Sequence, residues 1–129
     1  MSRARLRQIV LAGTGALFLV IAIVALVAPR VVARSYALPL PDASALNEFR
    51  AVFTGFWVGL FVLFTTASRH PEDVRLGDVC AILVLCQALA RVVSVVLDGL
   101  PAWSFVGAMV GELACAVVIL ALRPRRPAG

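Results

Sequence analysis

The chain has 129 residues, of which 62% are hydrophobic and only 15% are charged, and its mean hydropathy is +1.01. A soluble domain of this size needs more polar surface than this composition supplies, so the sequence indicates a membrane protein. All twelve basic residues are arginines, and the formal net charge is +5. The arginines gather at the ends of apolar runs and form no single basic face. This pattern argues against nucleic-acid binding and is typical of orientation signals in membrane proteins.

Four apolar segments follow one another along the chain, each close to the ~20 residues that a membrane-spanning helix needs. None of them alternates with period two, which excludes a transmembrane β-barrel. We therefore predict an all-α fold, a four-helix transmembrane bundle that forms a single domain over residues 1–129. We expect it to be a multi-pass protein of the cell inner (plasma) membrane. The predicted spans cover residues 8–28, 48–67, 76–97 and 102–122.

The arginines also predict the orientation of the bundle, because positively charged residues favour the cytoplasmic side. Most of them belong to the two termini and the second connection: Arg3, Arg5, Arg7, Arg69, Arg75, Arg123, Arg125 and Arg126. The opposite side carries Arg30 and Arg34 in the first connection. Both termini are therefore predicted to be cytoplasmic.

The first connection, RVVARSYALPLPDASALN, is long. Pro39 and Pro41 break any helix there, and either Asp42 or Ser44 is available to cap the second span. The segment 29–47 is either a lid or a surface loop on the lipid headgroups, and the sequence leaves both interpretations open. The final connection, DGLP, is a tight turn, so the third and fourth spans are predicted to form an antiparallel hairpin.

Four charged residues stand inside or at the start of the apolar segments: Glu48, Arg50, Arg91 and Glu112. Counted from the helix ends at ~1.5 Å per residue, all four fall in the predicted outer half of the membrane, with Glu112 the deepest. A charge at the bilayer centre costs ~2.5–3.5 kcal/mol on insertion scales, so Arg91 and Glu112 should face the interior and pair. Glu48 and Arg50 diverge on their helix and need partners elsewhere.

Ionisable residues at this depth are functional candidates by default, and buried ion pairs that fix the register of the bundle are the alternative. The sequence contains no phosphate-binding glycine loop and no metal-ligand spacing, so we predict neither a metal nor a cofactor. What remains is cofactor-free acid/base chemistry, namely isomerisation, cyclisation or epoxide opening of a lipophilic isoprenoid- or polyketide-like substrate. Glu112 is the predicted acid and Glu48 the predicted base. Arg91 and Arg50 are predicted to hold these two carboxylates.

A second set of residues is predicted to line the substrate cleft. Its polar members flank Arg91 at helical spacing or stand at the rim, and its aromatic members offer apolar surface. The set consists of Gln87, Ser94, Asp98, Phe53, Trp57 and Trp103. Packing or bilayer contact is the other explanation for the aromatic members. The alternative function is non-catalytic, a small transporter or accessory subunit that binds a membrane lipid, a proton or a partner helix.

Glycines recur at four-residue spacing in two spans, Gly55 with Gly59 and Gly107 with Gly111. Small residues at this spacing let helix backbones approach closely in lipid. Packing within the bundle is the favoured interpretation, and a homodimer through these faces is the alternative.

The pattern NEFRAVFTGFWVG, then ALARVVSVVLDGLP, then GEL in the last span resembles a family of small bacterial four-span membrane proteins. This is domain-of-unknown-function family 4345, which is loosely similar to the DoxX-like proteins. The resemblance covers nearly the whole chain and implies the architecture and the choice of residues, but no activity. The residues that fit the family pattern are Glu48, Arg50, Arg91, Asp98, Gly99, Pro101 and Glu112. Thr54 and Ala90 stand where the pattern has glycine, which should narrow the space beside Arg50 and Arg91.

Overall fold

The computed structural model describes residues 2–124, and within them the chain is helical without any β-strand. The helices are α1 (Arg3–Val27), α2 (Pro29–Ser35), α3 (Ala43–Arg50), α4 (Trp57–Arg69), α5 (Val74–Asp98) and α6 (Trp103–Ala121). A π-helical segment, Ala51–Phe56, joins α3 to α4, so the second span is one helix from Ala43 to Arg69. Within residues 2–124, four helices are long and apolar enough to cross a bilayer, and the predicted all-α bundle is confirmed.

Three spans begin earlier in the structure than in the prediction, because polar residues upstream cap them, and the first two begin five residues earlier. The Ser2 side chain accepts a hydrogen bond from the backbone N–H of Arg5 at 3.3 Å, and α1 therefore begins at Arg3. Asp42, one of the two predicted caps, accepts from the backbone N–H of Ala45 at 2.8 Å. The second span thus has 27 residues. At ~1.5 Å per residue it exceeds the ~30 Å hydrocarbon core, so its first turns reach the membrane surface.

The bundle has two distinct ends, which we name by their connections. The terminal end holds the start of α1, the 70–73 connection and the end of α6, and the loop end holds residues 28–42 and 99–102. At the terminal end the Gln8 side-chain amide donates to the backbone carbonyl of Ser68 at 3.0 Å, which ties the first span to the second.

Orientation in the membrane stays a prediction from the arginine distribution. The terminal end carries most of the arginines, so the positive-inside rule assigns this end to the cytoplasm. Arg125 and Arg126, which contributed to that prediction, lie outside the described residues.

Packing divides the bundle into two helix pairs. Helix α1 packs most extensively against α4, and α5 packs most extensively against α6. Gly15 permits the close approach of α1 to α4, because a Cβ atom there would lie 3.1 Å from the Cβ of Phe64. The larger core cluster includes Leu11, Phe18, Leu60, Phe64, Val84 and Ile119. The π-helical segment packs against α1 and much less against α5, which leaves a gap between the second and third spans.

Within the first connection, the chain leaves α2 through a tight backbone turn. The N–H of Leu38 donates to the carbonyl of Ala33 at 2.9 Å, and the N–H of Ala37 donates to Arg34 at 3.0 Å. This is the Schellman arrangement, in which the residue after the helix takes a left-handed conformation that favours glycine. Here that residue is Ala37, with φ of 53°. The turn therefore stores backbone strain.

This turn places Tyr36 on the bundle. The Tyr36 ring lies 5.1 Å from the ring of Phe53 in the second span and 5.2 Å from that of Phe105 in the fourth, centroid to centroid. Aromatic contacts of this kind contribute ~0.5–1.5 kcal/mol each beyond area burial. The first connection is thus folded onto the spans at the loop end.

The regularly spaced glycines do not pack inside the bundle. Among the described residues, a Cβ atom added to Gly55, Gly59, Gly107 or Gly111 would have no atom within 4 Å apart from its chain neighbours and the backbone of its own helix. The interpretation that these glycines join helices within the chain was therefore wrong, because their faces point away from the neighbouring spans. The homodimer stays a prediction.

Candidate functional site

A cleft of about 440 Å³ opens at the loop end between the second and third spans. Its wall is mainly aliphatic and aromatic. The lining residues are Tyr36, Val52, Phe53, Phe56, Trp57, Leu60, Leu83, Val84, Cys86, Gln87 and Arg91. Because Val52 is 44% exposed and Phe56 is 57% exposed, the cleft opens onto the side of the bundle. Its volume lies within the range of small-molecule sites, roughly 300–1,000 Å³.

The aromatic wall of the cleft is held from behind. Phe53 stacks on Phe49, with ring centroids 4.4 Å apart, and Phe49 is itself buried. Trp57 packs edge-on against Phe18 at 5.3 Å. The π-helical segment Ala51–Phe56 supplies several of the lining residues, and π-helical turns recur at functional sites in other proteins. The wall is therefore a preformed surface.

The third and fourth spans contribute an ion pair beside the cleft. Nε of Arg91 donates to Oε2 of Glu112 at 2.9 Å, and Nη2 donates to Oε1 at 3.2 Å. This confirms the predicted contact between the two residues. Two parallel hydrogen bonds are the strong, orienting form of an arginine–carboxylate pair. The side chains of Arg91 and Glu112 are 25% and 17% exposed, so the pair is only partly enclosed.

Arg91 stands between two cavities, whereas Glu112 lines neither of them. The second cavity, of about 100 Å³, lies between the third and fourth spans and is lined by Arg91, Ser94, Val95, Pro101, Phe105 and Met109. Nη1 of Arg91 donates no hydrogen bond to any residue of the 2–124 range. Gln87 lines the cleft one helical turn away, and its amide is likewise unbonded within that range. Arg91 and Gln87 thus form the polar edge of the cleft.

Glu48 and Arg50 do not join this site. Both are exposed, they line neither cavity, and within the described chain neither forms an ion pair. They flank the buried Phe49 on the first turns of a span that begins at Ala43. Because those turns extend toward the membrane surface, the two charges need no partner inside the bundle.

The remaining predicted residues divide between the cleft and the rim. Phe53, Trp57 and Gln87 line the cleft, and Ser94 lines the smaller cavity. The Ser94 hydroxyl donates to Oδ2 of Asp98 at 3.3 Å, and both residues are exposed. Trp103 is 83% exposed at the start of α6. Asp98 and Trp103 therefore border the site without lining it.

Thr54 and Ala90 do not narrow the cleft. The Thr54 hydroxyl donates to the backbone carbonyl of Ala22 at 3.4 Å, so this side chain faces the first span. Ala90 is exposed on α5. The predicted crowding beside Arg50 and Arg91 was therefore wrong.

A second charged cluster, at the terminal end, was missed from the sequence. Arg7 is only 4% exposed. Its Nη2 donates to Oδ1 of Asp78 at 2.6 Å and its Nε donates to the carbonyl of Ile119 at 3.1 Å. Arg123 lies 3.0 Å from the other carboxylate oxygen of Asp78. A Cβ at Gly77 would approach Cζ of Arg7 to 2.8 Å, so glycine makes the space for this guanidinium.

The only histidine in the sequence, His70, lies outside the spans. Its Nδ1 is 3.0 Å from Oε1 of Glu72, and both residues are exposed. The pKa of the Glu72 carboxyl is lowered from its usual 4.5, mainly because the backbone N–H of Glu72 donates a hydrogen bond to this carboxyl. The hydrogen bond with His70 lowers it further. This pair is a surface contact at the terminal end.

No curated protein and no solved structure gives a significant match to the chain. The profile of a family described as Domain of unknown function (DUF4345) matches residues 6–123. That range contains the cleft and both charged clusters, and the match agrees with the predicted resemblance. Because it covers most of the sequence, the chain belongs to the DUF4345 family.

Proposed function

We propose that this membrane protein binds a lipophilic small molecule in the cleft between its second and third spans. The observation that carries the proposal is an apolar cleft of about 440 Å³ that opens onto the lipid-facing side and has one polar edge. A molecule dissolved in the bilayer can enter such a cleft laterally. Ligand sites generally combine a large apolar wall with a few placed polar groups, and this cleft has that composition.

Arg91 is the group that would orient the ligand. Glu112 fixes the guanidinium through two hydrogen bonds and leaves the remaining N–H groups of Arg91 free to donate. In a site of low dielectric constant such donors interact strongly with an acceptor. Glu112 therefore acts through Arg91, as a positioning residue.

The catalytic form of the proposal is cofactor-free acid/base conversion of the bound molecule. Isomerisation, cyclisation and epoxide opening all require a positioned proton donor or acceptor. Glu112 is the carboxylate nearest the cleft edge through its contact with Arg91, and its side chain keeps 17% of its surface exposed. Glu48 lies outside the cleft and Glu112 lines neither cavity, so a catalyst of this kind would require the Arg91–Glu112 pair to open and bring the Glu112 carboxyl to the ligand.

Binding is tested by tryptophan fluorescence. The chain has two tryptophans, of which Trp57 lines the cleft and Trp103 is exposed. In the Trp103→Phe variant, purified in detergent, Trp57 is the single reporter. A brominated lipophilic ligand should quench its fluorescence with saturation. The matched control is Trp57→Phe, in which Trp103 should show only the unsaturable quenching of a micelle-dissolved probe. Equal curves for the two variants would contradict binding in the cleft.

Catalysis is tested on a ligand identified in this way. Glu112→Gln keeps the side-chain volume but cannot exchange a proton. Turnover should therefore be abolished, while the ligand should still bind in the cleft and quench Trp57. Glu48→Gln should keep full turnover if only the cleft pair acts. Loss of turnover in Glu48→Gln would instead restore the two-carboxylate mechanism, and full activity of Glu112→Gln would leave a binding protein without acid/base chemistry at this residue.

A second candidate is a non-catalytic accessory role, for which the open glycine faces are the motivation. Gly55 with Gly59, and Gly107 with Gly111, leave room for the backbone of a partner helix or a second copy. Cysteines introduced at Val58 and Val110, both exposed near these faces, should cross-link between chains in native membranes if either face is occupied. Absence of cross-links at both positions would remove this candidate.

A further inference from the structure

We infer that the molecule which binds in the cleft is electrically neutral and carries an oxygen acceptor, such as a ketone, an ester or an ether. This inference rests on the proposed function and adds the chemical class of the ligand. Three features of the cleft support it: the balance of charge at Arg91, the excess of hydrogen-bond donors, and the polar groups left without partners.

The charge at the cleft edge is already balanced. Of the lining residues within the described chain, only Arg91 is charged, and Glu112 neutralises it at 2.9 Å and 3.2 Å. An anionic ligand would have to compete with Glu112 for the guanidinium and would leave that carboxylate unpaired inside the bundle, which is strongly unfavourable. A cationic ligand would face the positive guanidinium across an apolar wall. A neutral ligand incurs neither penalty.

The polar groups of the cleft are mainly donors. Arg91 and Trp57 can only donate, whereas Gln87 and Tyr36 can both donate and accept. No carboxylate lines the cleft among the residues of the described range. An oxygen that accepts hydrogen bonds is therefore the complementary group, and it would sit between Nη1 of Arg91 and the Gln87 amide.

Two of these donors have no hydrogen-bond partner within the described residues, and both line the cleft and are not sealed in the core. Gln87 lies roughly 16 Å below the loop end of α5, counted from Asp98 at ~1.5 Å per residue, which is close to the membrane midplane. Neither the Gln87 amide nor Nη1 of Arg91 bonds to another residue of the part of the chain that is described. Polar groups at this depth need partners, so an occupant with an acceptor is favoured over a pure hydrocarbon.

The experiment compares three brominated probes of equal chain length in the Trp103→Phe background: a methyl ketone, an alkane and an alkyl sulfonate. They differ in the head group alone, being respectively a neutral acceptor, no acceptor and a permanent anion. Dissociation constants come from saturable quenching of Trp57. Each probe is also measured with Gln87→Leu, with Arg91→Met combined with Glu112→Leu, and with Arg50→Met as the matched control outside the cleft.

The ketone should bind about tenfold more tightly than the alkane, because one hydrogen bond to a charged donor is worth roughly that factor. The sulfonate should bind more weakly than the ketone. Gln87→Leu should reduce the preference for the ketone in part. The double variant should abolish the preference while still binding the alkane, and Arg50→Met should leave all three constants unchanged.

Two results would overturn the inference while leaving the proposed function intact. Equal binding of ketone and alkane would mean that water, and not the ligand, satisfies Arg91 and Gln87. Tighter binding of the sulfonate would mean that the pair opens to receive anions. If no probe quenches Trp57 with saturation, the proposed function itself fails. If the double variant does not fold, Gln87→Leu alone decides between the outcomes. A reduced preference for the ketone over the alkane in Gln87→Leu would support the inference, and an unchanged preference would contradict it.

Discussion

The two charged clusters of the molecule lie at opposite ends of the bundle and differ in how completely their polar groups are used. At the terminal end Arg7 is buried, bonds to Asp78 and to the carbonyls of Val74 and Ile119, and fills the space above Gly77. The adjacent cavity is about 10 Å³. At the loop end the Arg91–Glu112 pair is partly exposed and borders a cleft of about 440 Å³.

This difference indicates that the Arg7 cluster has a structural role, whereas the Arg91–Glu112 pair belongs to a candidate ligand site. Arg7 joins the first span to the third and the fourth, and it leaves no room for a ligand. Arg91 joins only the third and fourth spans and keeps donors that face open space. The loop end also holds both of the positive-φ residues in the described range, Ala37 and Gly99. Only Ala37 is strained, because glycine adopts a positive φ readily, and strain at non-glycine residues is concentrated at functional sites in other proteins.

The largest expected effect is an all-or-none labelling result that assigns each end to a side of the membrane. In a variant lacking the native cysteines, a cysteine at Asp42 should react with a membrane-impermeant maleimide in intact cells. A cysteine at Glu72 should react only after permeabilisation. The reason is the arginine excess at the terminal end, which favours the cytoplasm. The reverse pattern would place the cleft on the cytoplasmic side, and labelling of both positions would contradict the topology.

At the terminal end, Arg7→Met should destabilise the protein by about 3–5 kcal/mol, because it leaves Asp78 with only the exposed Arg123 and removes the bonds to the backbone. The measurement is the melting temperature in detergent. Arg5→Met is the matched control, since Arg5 is exposed and its loss removes the same charge. A small effect of Arg7→Met, equal to that of the control, would mean that the terminal cluster does not hold the spans together.

At the loop end, a double-mutant cycle should give smaller single effects, about 1–3 kcal/mol for Arg91→Met or Glu112→Leu, since this pair is less enclosed. Each single change leaves an unpaired charge, so the double variant should be more stable than either single variant. Melting temperatures in detergent measure the cycle. Additive effects would mean that the two side chains contribute independently, despite the 2.9 Å contact. A double variant that folds but no longer discriminates ligands would assign the pair to function.

The fold and the pair were predictable from sequence because both follow from hydrophobicity and helix geometry. The Arg91–Glu112 contact follows from the tight turn between the third and fourth spans and from the high cost of an unpaired charge in lipid. The terminal cluster was also visible in principle. Arg7 precedes Leu11, Gly15 and Phe18 at helical spacing on the buried face of α1. This spacing indicates a buried arginine, but Arg7 was counted only among the arginines that set the orientation.

The cleft itself was less accessible to sequence reasoning. It depends on the π-helical segment Ala51–Phe56 and on the turn at Ala37, and neither has a local sequence signal. Glu48 and Arg50 were predicted to belong to the cleft because charges in an apolar segment were expected to need partners inside the bundle. In the structure the helix begins at Ala43, five residues before Glu48, and both side chains are exposed on its outer face near the membrane surface, which can solvate them.

The smallest expected effect concerns the strained turn above the cleft. Ala37 has φ of 53°, where glycine is more favourable than alanine, so Ala37→Gly should stabilise the protein by about 0.5–1 kcal/mol. Gly99 provides the matched reverse change, since Gly99→Ala at φ of 90° should destabilise the hairpin turn.

If the strain at Ala37 serves to hold Tyr36 against Phe53 and Phe105, the more stable Ala37→Gly variant should bind the ketone probe more weakly. Higher stability with unchanged affinity would assign the turn to folding alone, and lower stability would contradict the strain. A change at this position acts on the loop end only, so the terminal cluster should keep its contribution to stability, measured by repeating Arg7→Met in the Ala37→Gly background.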